Sequence, residues 1–195
     1  MKTAITLGVA ALLLTGGCTA STATTISSPQ DAFMASIKQH CGKAYAGRMV
    51  TQDSADADMA GQSLVMHVRG CHASHVEIPF HVGNDRSRTW IITRTVNGVR
   101  LKHDHRHEDG TADAVTFYGG DTAREGTAQR QEFPVDAESI AAFRANGLDR
   151  SLTNVWAVEI DNRTFAYELR RENRFFRVEF DLTKPVATPP APWGW

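Results

Sequence analysis

The sequence predicts a mainly β protein, an antiparallel meander that closes into a small barrel, with one helix ahead of it and a second inserted late in the chain. Three observations predict this. From residue 44 onward apolar and polar residues alternate with period two in short runs. The runs are separated by turn residues, among them Asn97-Gly98, Asp161-Asn162 and Glu172-Asn173. The turns at Asp161-Asn162 and Glu172-Asn173 independently put the same face of strand 164–171 inward, which supports a continuous antiparallel meander from 153 to 182. Many short strands joined by turns read as a sandwich or barrel and not as βαβ units. Closure into a barrel also removes exposed strand edges.

The elements follow in order. A first helix is expected at about 29–41, with Ser28 as cap, Pro29 at the first helical position, Asp31 in the first turn and Gly42 beyond the end. Phe33, Ile37 and Cys41 recur every fourth residue on one face, so the helix packs on the body. Strands are expected at 44–52, 62–70, 75–82, 88–96, 99–107, 114–118, 127–133, 153–160, 164–171 and 174–182. A second helix fits 137–146, capped by Asp136 and ended by Gly147. A turn at Asn97-Gly98 sets Val96 opposite Val99, Arg94 opposite Leu101, Ile92 opposite His103 and Trp90 opposite His105. A turn at Asp161-Asn162 aligns Trp156 with Tyr167 and Val158 with Phe165. A turn at Glu172-Asn173 aligns Leu169 with Phe176, Tyr167 with Val178 and Phe165 with Phe180, and sets Glu168 opposite Arg177 on the outer face.

The ends of the chain read as address and tail. Met1-Lys2, the apolar run from Ala4 to Thr15 and the small residues Gly16-Gly17 form a secretory signal too short to span a bilayer. Cys18 behind Leu14-Thr15-Gly16-Gly17 resembles a bacterial lipobox. That resemblance implies a lipoprotein, with lipidation (palmitate included) at Cys18 and a membrane partner reached through the anchor. Thr19 in place of Asp favours a periplasm-facing position on the outer membrane. The expected division is a signal peptide at 1–17, a tether at 18–28, one domain at 29–183 and a proline-rich tail at 184–195. With Cys18 lipidated, Cys41 and Cys71 remain. A secretory compartment is oxidising, and no CxxC spacing supports metal or redox thiols, so a Cys41–Cys71 disulfide is expected.

The 21 basic and 22 acidic residues balance, which removes the electrostatic argument for nucleic acid as a partner. Candidate chemistry gathers on the 88–107 hairpin. Its inner face carries Trp90, Arg94, His103 and His105 among aliphatic residues, a set suited to a small anionic or amphipathic ligand. A buried arginine must be paired or meet an anion, so Arg94 either takes the ligand or pairs with an interior acid. His103, His105 and His107 alternate along one strand, with neighbours about 6.6 Å apart. Such imidazoles suit zinc or copper, with His81, His67 or a carboxylate as a further ligand. No GxSxG elbow surrounds Ser87, and His107-Glu108 lacks the second histidine of a zincin motif, so no catalytic residue is assigned.

The stretches SRTWIITRTVNGVRLKHDHRHEDGTADAVTFYGG (87–120) and QRQEFPVD (129–136) resemble a group of uncharacterised secreted or lipid-anchored bacterial proteins, over about Cys41 to Leu182. That resemblance implies location and a shared domain, and no activity. The meander, with Gly47 near its first strand, is also similar to lipocalin-like barrels. The expected function is a non-enzymatic binding module for a small amphipathic or anionic envelope ligand. The alternatives are a metal protein or metalloenzyme using the HDHRH strand, and a structural lipoprotein with a filled barrel.

Overall fold

The computed structural model describes Met1 and residues 27–195, so the signal sequence, Cys18 and most of the tether lie outside the described residues. Helix α1 (Pro29–Lys38) opens with a capping box: Ser28 Oγ accepts from the Asp31 N–H, and the Asp31 carboxylate accepts from the Ser28 N–H. It ends at Lys38, three residues before the expected Cys41. Eleven strands follow in one antiparallel sheet: β1 (Ala44–Met49), β2 (Leu64–His67), β3 (Gly70–Cys71), β4 (His75–Val82), β5 (Asp85–Thr95), β6 (Gly98–His105), β7 (Tyr118–Asp121), β8 (Arg130–Pro134), β9 (Val155–Ile160), β10 (Thr164–Arg171) and β11 (Arg174–Val186). Helix α2 (Ala137–Ala145) lies between β8 and β9 in sequence, with the Asp136 carboxylate accepting from the Ser139 N–H.

The spatial order is β7-β6-β5-β4-β2-β1-β11-β10-β9-β8, with β3 pairing β4 beside the path. This is a meander wound into a nearly closed barrel, since the first strand pairs with the last (β1 with β11). The seam therefore falls between β7 and β8. There the Asp136 N–H donates to Gly119 O at 2.9 Å and Ser139 Oγ accepts from the Gly119 N–H at 2.8 Å. A side chain at Gly120 would place its Cβ 1.8 Å from Pro134 O, so only glycine permits this approach.

The expected strand boundaries hold for β4 and β10. The strand expected at 114–118 is displaced to Tyr118–Asp121, with Phe117 in the left-handed region (φ +52°) ending the loop before it. The tail is also shorter than expected. β11 continues to Val186 against β1, and the chain then returns across the barrel's outer face. Arg86 Nη1 donates to Ala191 O, Trp193 N donates to Arg86 O, and the Trp195 indole donates to Asp104 at 3.0 Å. This cover explains why Asp104, on the nominally polar face, is fully buried.

Of the three expected hairpins, the Glu172-Asn173 one has the expected register, Glu168↔Arg177 included; Asn173 takes φ +54°. The other two slip by one turn residue. The first turn is Val96-Asn97, pairing Thr95↔Gly98, Ile92↔Leu101 and Trp90↔His103. Gly98 serves as a strand residue because Thr122 packs over it, where a Cβ would lie 2.4 Å from Thr122 Oγ1. Val96 is left in solvent instead of inside. The second turn is Asn162-Arg163, because the Asp161 carboxylate accepts from both Arg163 N and Thr164 N at 2.7 Å and sets Asp161 opposite Thr164. A one-residue shift of a turn changes each partner by two, so the inward and outward faces are unchanged.

The interior is one cluster that includes Phe33, Ile37, Tyr45, Met66, Ile78, Ile92, Leu101, Trp156, Val158, Phe165 and Phe180. Burying such side chains stabilises by roughly 1.5–3 kcal/mol each. Helix α1 plugs one end with Phe33, Met34 and Ile37. Cys41 and Cys71 form a disulfide (Cα–Cα 6.2 Å) that joins the segment after α1 to β3.

Candidate functional site

The end of the barrel away from α1 holds a pocket of about 330 Å³. That is the small end of the range for ligand sites, roughly 300–1,000 Å³. Six strands position its aromatic wall. Trp90 of β5 lies nearly parallel to Tyr167 of β10, with centroids 4.4 Å apart, and to Phe80 of β4 at 4.9 Å. His103 of β6 stacks on Tyr118 of β7 at 4.6 Å and lies 5.1 Å from Trp156 of β9. Phe143 of α2 and Met59, at the end of a short 3-10 turn (Ser54–Met59), complete the apolar lining.

Hydrogen bonding fixes the histidines. Tyr118 O is an acceptor only, so His103 Nδ1–H donates to it at 3.1 Å. His103 Nε2 is then free to accept the Tyr167 hydroxyl at 2.7 Å. Burial, with the His105 ring beside it, holds the His103 pKa down at about 3. His105 Nε2 accepts the Tyr118 hydroxyl at 3.0 Å, and burial followed by the Arg88 charge holds His105 at about 4. Burial pushes the phenols of Tyr118 and Tyr167 up. The wall is therefore neutral across the physiological range. The histidines' partners are two phenols and a backbone carbonyl.

Charge enters at the rim, from Arg88, Arg171 and Arg174 and from the carboxylates of Asp56 and Asp113, the latter near His105 and Tyr118. Arg174 is satisfied by Asp56 and Asp53 and stands over the Phe176 ring. Arg88 pairs with Asp85 at 2.5 Å. Arg171 differs. It donates to the Asn154 side-chain oxygen at 3.1 Å and has no carboxylate within 4.0 Å among the described residues. Burial, then the neighbouring Arg174 and Arg150 charges, lower its pKa.

Of the residues expected at the site, Trp90, His103 and His105 line this pocket. Arg94 does not. It sits at the α1 end, where it pairs with Asp31 at 2.7 Å and donates to the Thr95 and Gly98 carbonyls. It alternates with Trp90 and Ile92 along β5, but the helix plug turns that stretch of the face into a structural anchor. The expected metal set also fails to assemble. β6 ends at His105, His107 is exposed in the following loop, and both ring nitrogens of His103 are already used. His81 and His67 alternate with the core residues Phe80 and Met66, so they face away from the interior. Among the described residues, three donors within 4.8 Å of one another occur elsewhere, at His72, His75 and Glu77.

The residues missed were Tyr118, Trp156, Tyr167 and Arg171. A signal for Arg171 was present, because it continues the inward series Phe165, Tyr167, Leu169. No protein-family model, curated protein or solved structure matches the chain, so its class is defined by the barrel and its one lined end.

Proposed function

We propose that this protein is an envelope binding module, tethered through a lipidated Cys18 to the periplasmic face of the bacterial outer membrane, that holds a small amphipathic anion in the open end of its barrel. The observation that carries the reading is Arg171, a half-buried cation at the mouth of an aromatic pocket, bonded to an amide and with no carboxylate within 4.0 Å among the described residues, Asp53 acting on it only from farther off. A cation so placed favours an anionic headgroup, since a desolvated charge is costly unless it is paired. Trp90, Tyr118, Trp156 and Tyr167 offer flat apolar surface to the rest of the ligand. The neutral histidines, each held by a tyrosine group, favour binding over catalysis. The lipobox-like run Leu14-Thr15-Gly16-Gly17-Cys18 supports the location.

Native mass spectrometry of the protein extracted from its own membrane tests both halves. The expected spectrum has an acylated N-terminal cysteine and a co-purifying anionic small molecule that Arg171→Gln loses. An unacylated, ligand-free chain would overturn the reading. A filled-barrel structural role predicts an acylated chain with no ligand in either form.

A further inference from the structure

We propose that His72, His75 and Glu77 form a binding site for a divalent zinc or copper ion, at the end of the barrel opposite the pocket. The backbone builds it. Gly70 pairs with Glu77 and Cys71 with Val76. The His72 N–H donates to His75 O at 2.9 Å, so a two-residue turn, Ala73-Ser74, sets His72 directly opposite His75. Cross-strand partners share a face, as do residues two apart on one strand, so all three side chains project from the same side. Gly70 leaves the space that the Glu77 carboxylate fills; a Cβ there would lie 2.1 Å from Glu77 Oε2.

The donor geometry matches a metal's. His75 Nε2 lies 3.3 Å from Glu77 Oε1, and His72 Nε2 lies 3.6 Å from the same oxygen. Ligands at about 2.0–2.1 Å from a tetrahedral zinc stand roughly 3.3 Å apart. The two imidazoles stack with 4.2 Å between centroids; an imidazole lone pair lies in the ring plane, so the half-exposed His72 ring tilts for both nitrogens to meet one ion. A two-histidine, one-carboxylate set is a borderline nitrogen–oxygen donor set that suits zinc or copper over calcium or magnesium. His72 is half exposed, which leaves room for water to complete the coordination.

The tip is held from three directions. Cys71 is bonded to Cys41, Lys38 Nζ donates to Ala73 O at 2.7 Å, and Arg94 N donates to Ser74 O at 2.7 Å. A preformed site loses little freedom on binding. The site shares no residue with the pocket, so failure of one reading leaves the other standing.

The test is calorimetric titration of the full chain, carrying Cys18→Ser to remove the free thiol, with zinc chloride and then with copper(II). The expected result is one ion per chain at micromolar affinity or tighter for at least one of the metals. His72→Asn and Glu77→Gln should each weaken it at least tenfold. His107→Asn, in the exposed loop, should leave it unchanged. His72 is too exposed for its loss to threaten folding, and circular dichroism of each variant checks this. Millimolar affinity for both ions, or equal affinity in wild type and His72→Asn, would overturn the proposal and leave a histidine–carboxylate contact.

Discussion

Two arginines, Arg94 at one end of the barrel and Arg171 at the other, meet opposite surroundings. At the α1 end Arg94 meets Asp31 and two backbone carbonyls, and the space around it is filled by Phe33, Met34 and Ile37. At the other end Arg171 meets one amide, beside a pocket lined by aromatic rings. The first end is a closed joint in which a helix cap, an ion pair and a disulfide converge. The second keeps a cation and apolar surface without the acid that would complete them. An arginine on the inner wall is therefore available to a ligand only where the fold leaves its partner out.

The closed end should break first. Phe33→Ala removes a fully buried ring from the plug and should cost about 3–5 kcal/mol, read as a lower denaturation midpoint. A change under 1 kcal/mol would mean that α1 does not seal the barrel. Cys41→Ser with Cys71→Ser opens a link between residues 30 apart in sequence, worth about 3–4 kcal/mol on the chain-entropy model. Urea melts with and without reductant should reproduce the same loss.

The open end should report through pH. His103 and His105 have folded pKa values of about 3 and 4, below the unfolded value near 6.5. Between these limits the unfolded chain binds protons that the folded chain does not, so stability is full above about pH 6.5 and falls as pH drops through this window. The upper part, from 6.5 to about 4.5, precedes carboxylate protonation and belongs to buried histidines, to which His40, His67 and His81, also lowered by burial, contribute outside the pocket. Tm should fall across it, and His105→Gln should flatten the slope. A slope unchanged by that substitution would place the buried neutral histidine elsewhere. The smallest expected effect is Arg94→Leu, which should cost about 1–2 kcal/mol through lost charge-assisted bonds and leave ligand affinity untouched.

Much of the fold was legible because local chemistry fixed it. Ser28 and Asp136 announce their helices through side chains that satisfy the first-turn N–H groups. Period-two alternation fixed the faces of β5, β6 and β9–β11 even where the turns slipped by one residue. The slips themselves were not legible, because Thr122 over Gly98 is a contact across 24 residues. The site was half legible. Alternation placed Trp90, His103 and His105 inward, and also Arg94, but the depth of a residue along the barrel axis depends on what plugs each end. His72 and His75 were overlooked beside the longer histidine run, although a two-residue turn brings them closer together than alternation along a strand can.

The central claim, that Arg171 marks a site for an amphipathic anion, is tested most directly by fluorescence titration with 1-anilinonaphthalene-8-sulfonate on wild type, Arg171→Gln and Arg94→Gln. Glutamine can still donate to Asn154, so the fold should hold. The account predicts one site per chain, affinity at least tenfold weaker in Arg171→Gln, and no change in Arg94→Gln. Equal affinity in wild type and Arg171→Gln, or no saturable binding at all, would contradict it.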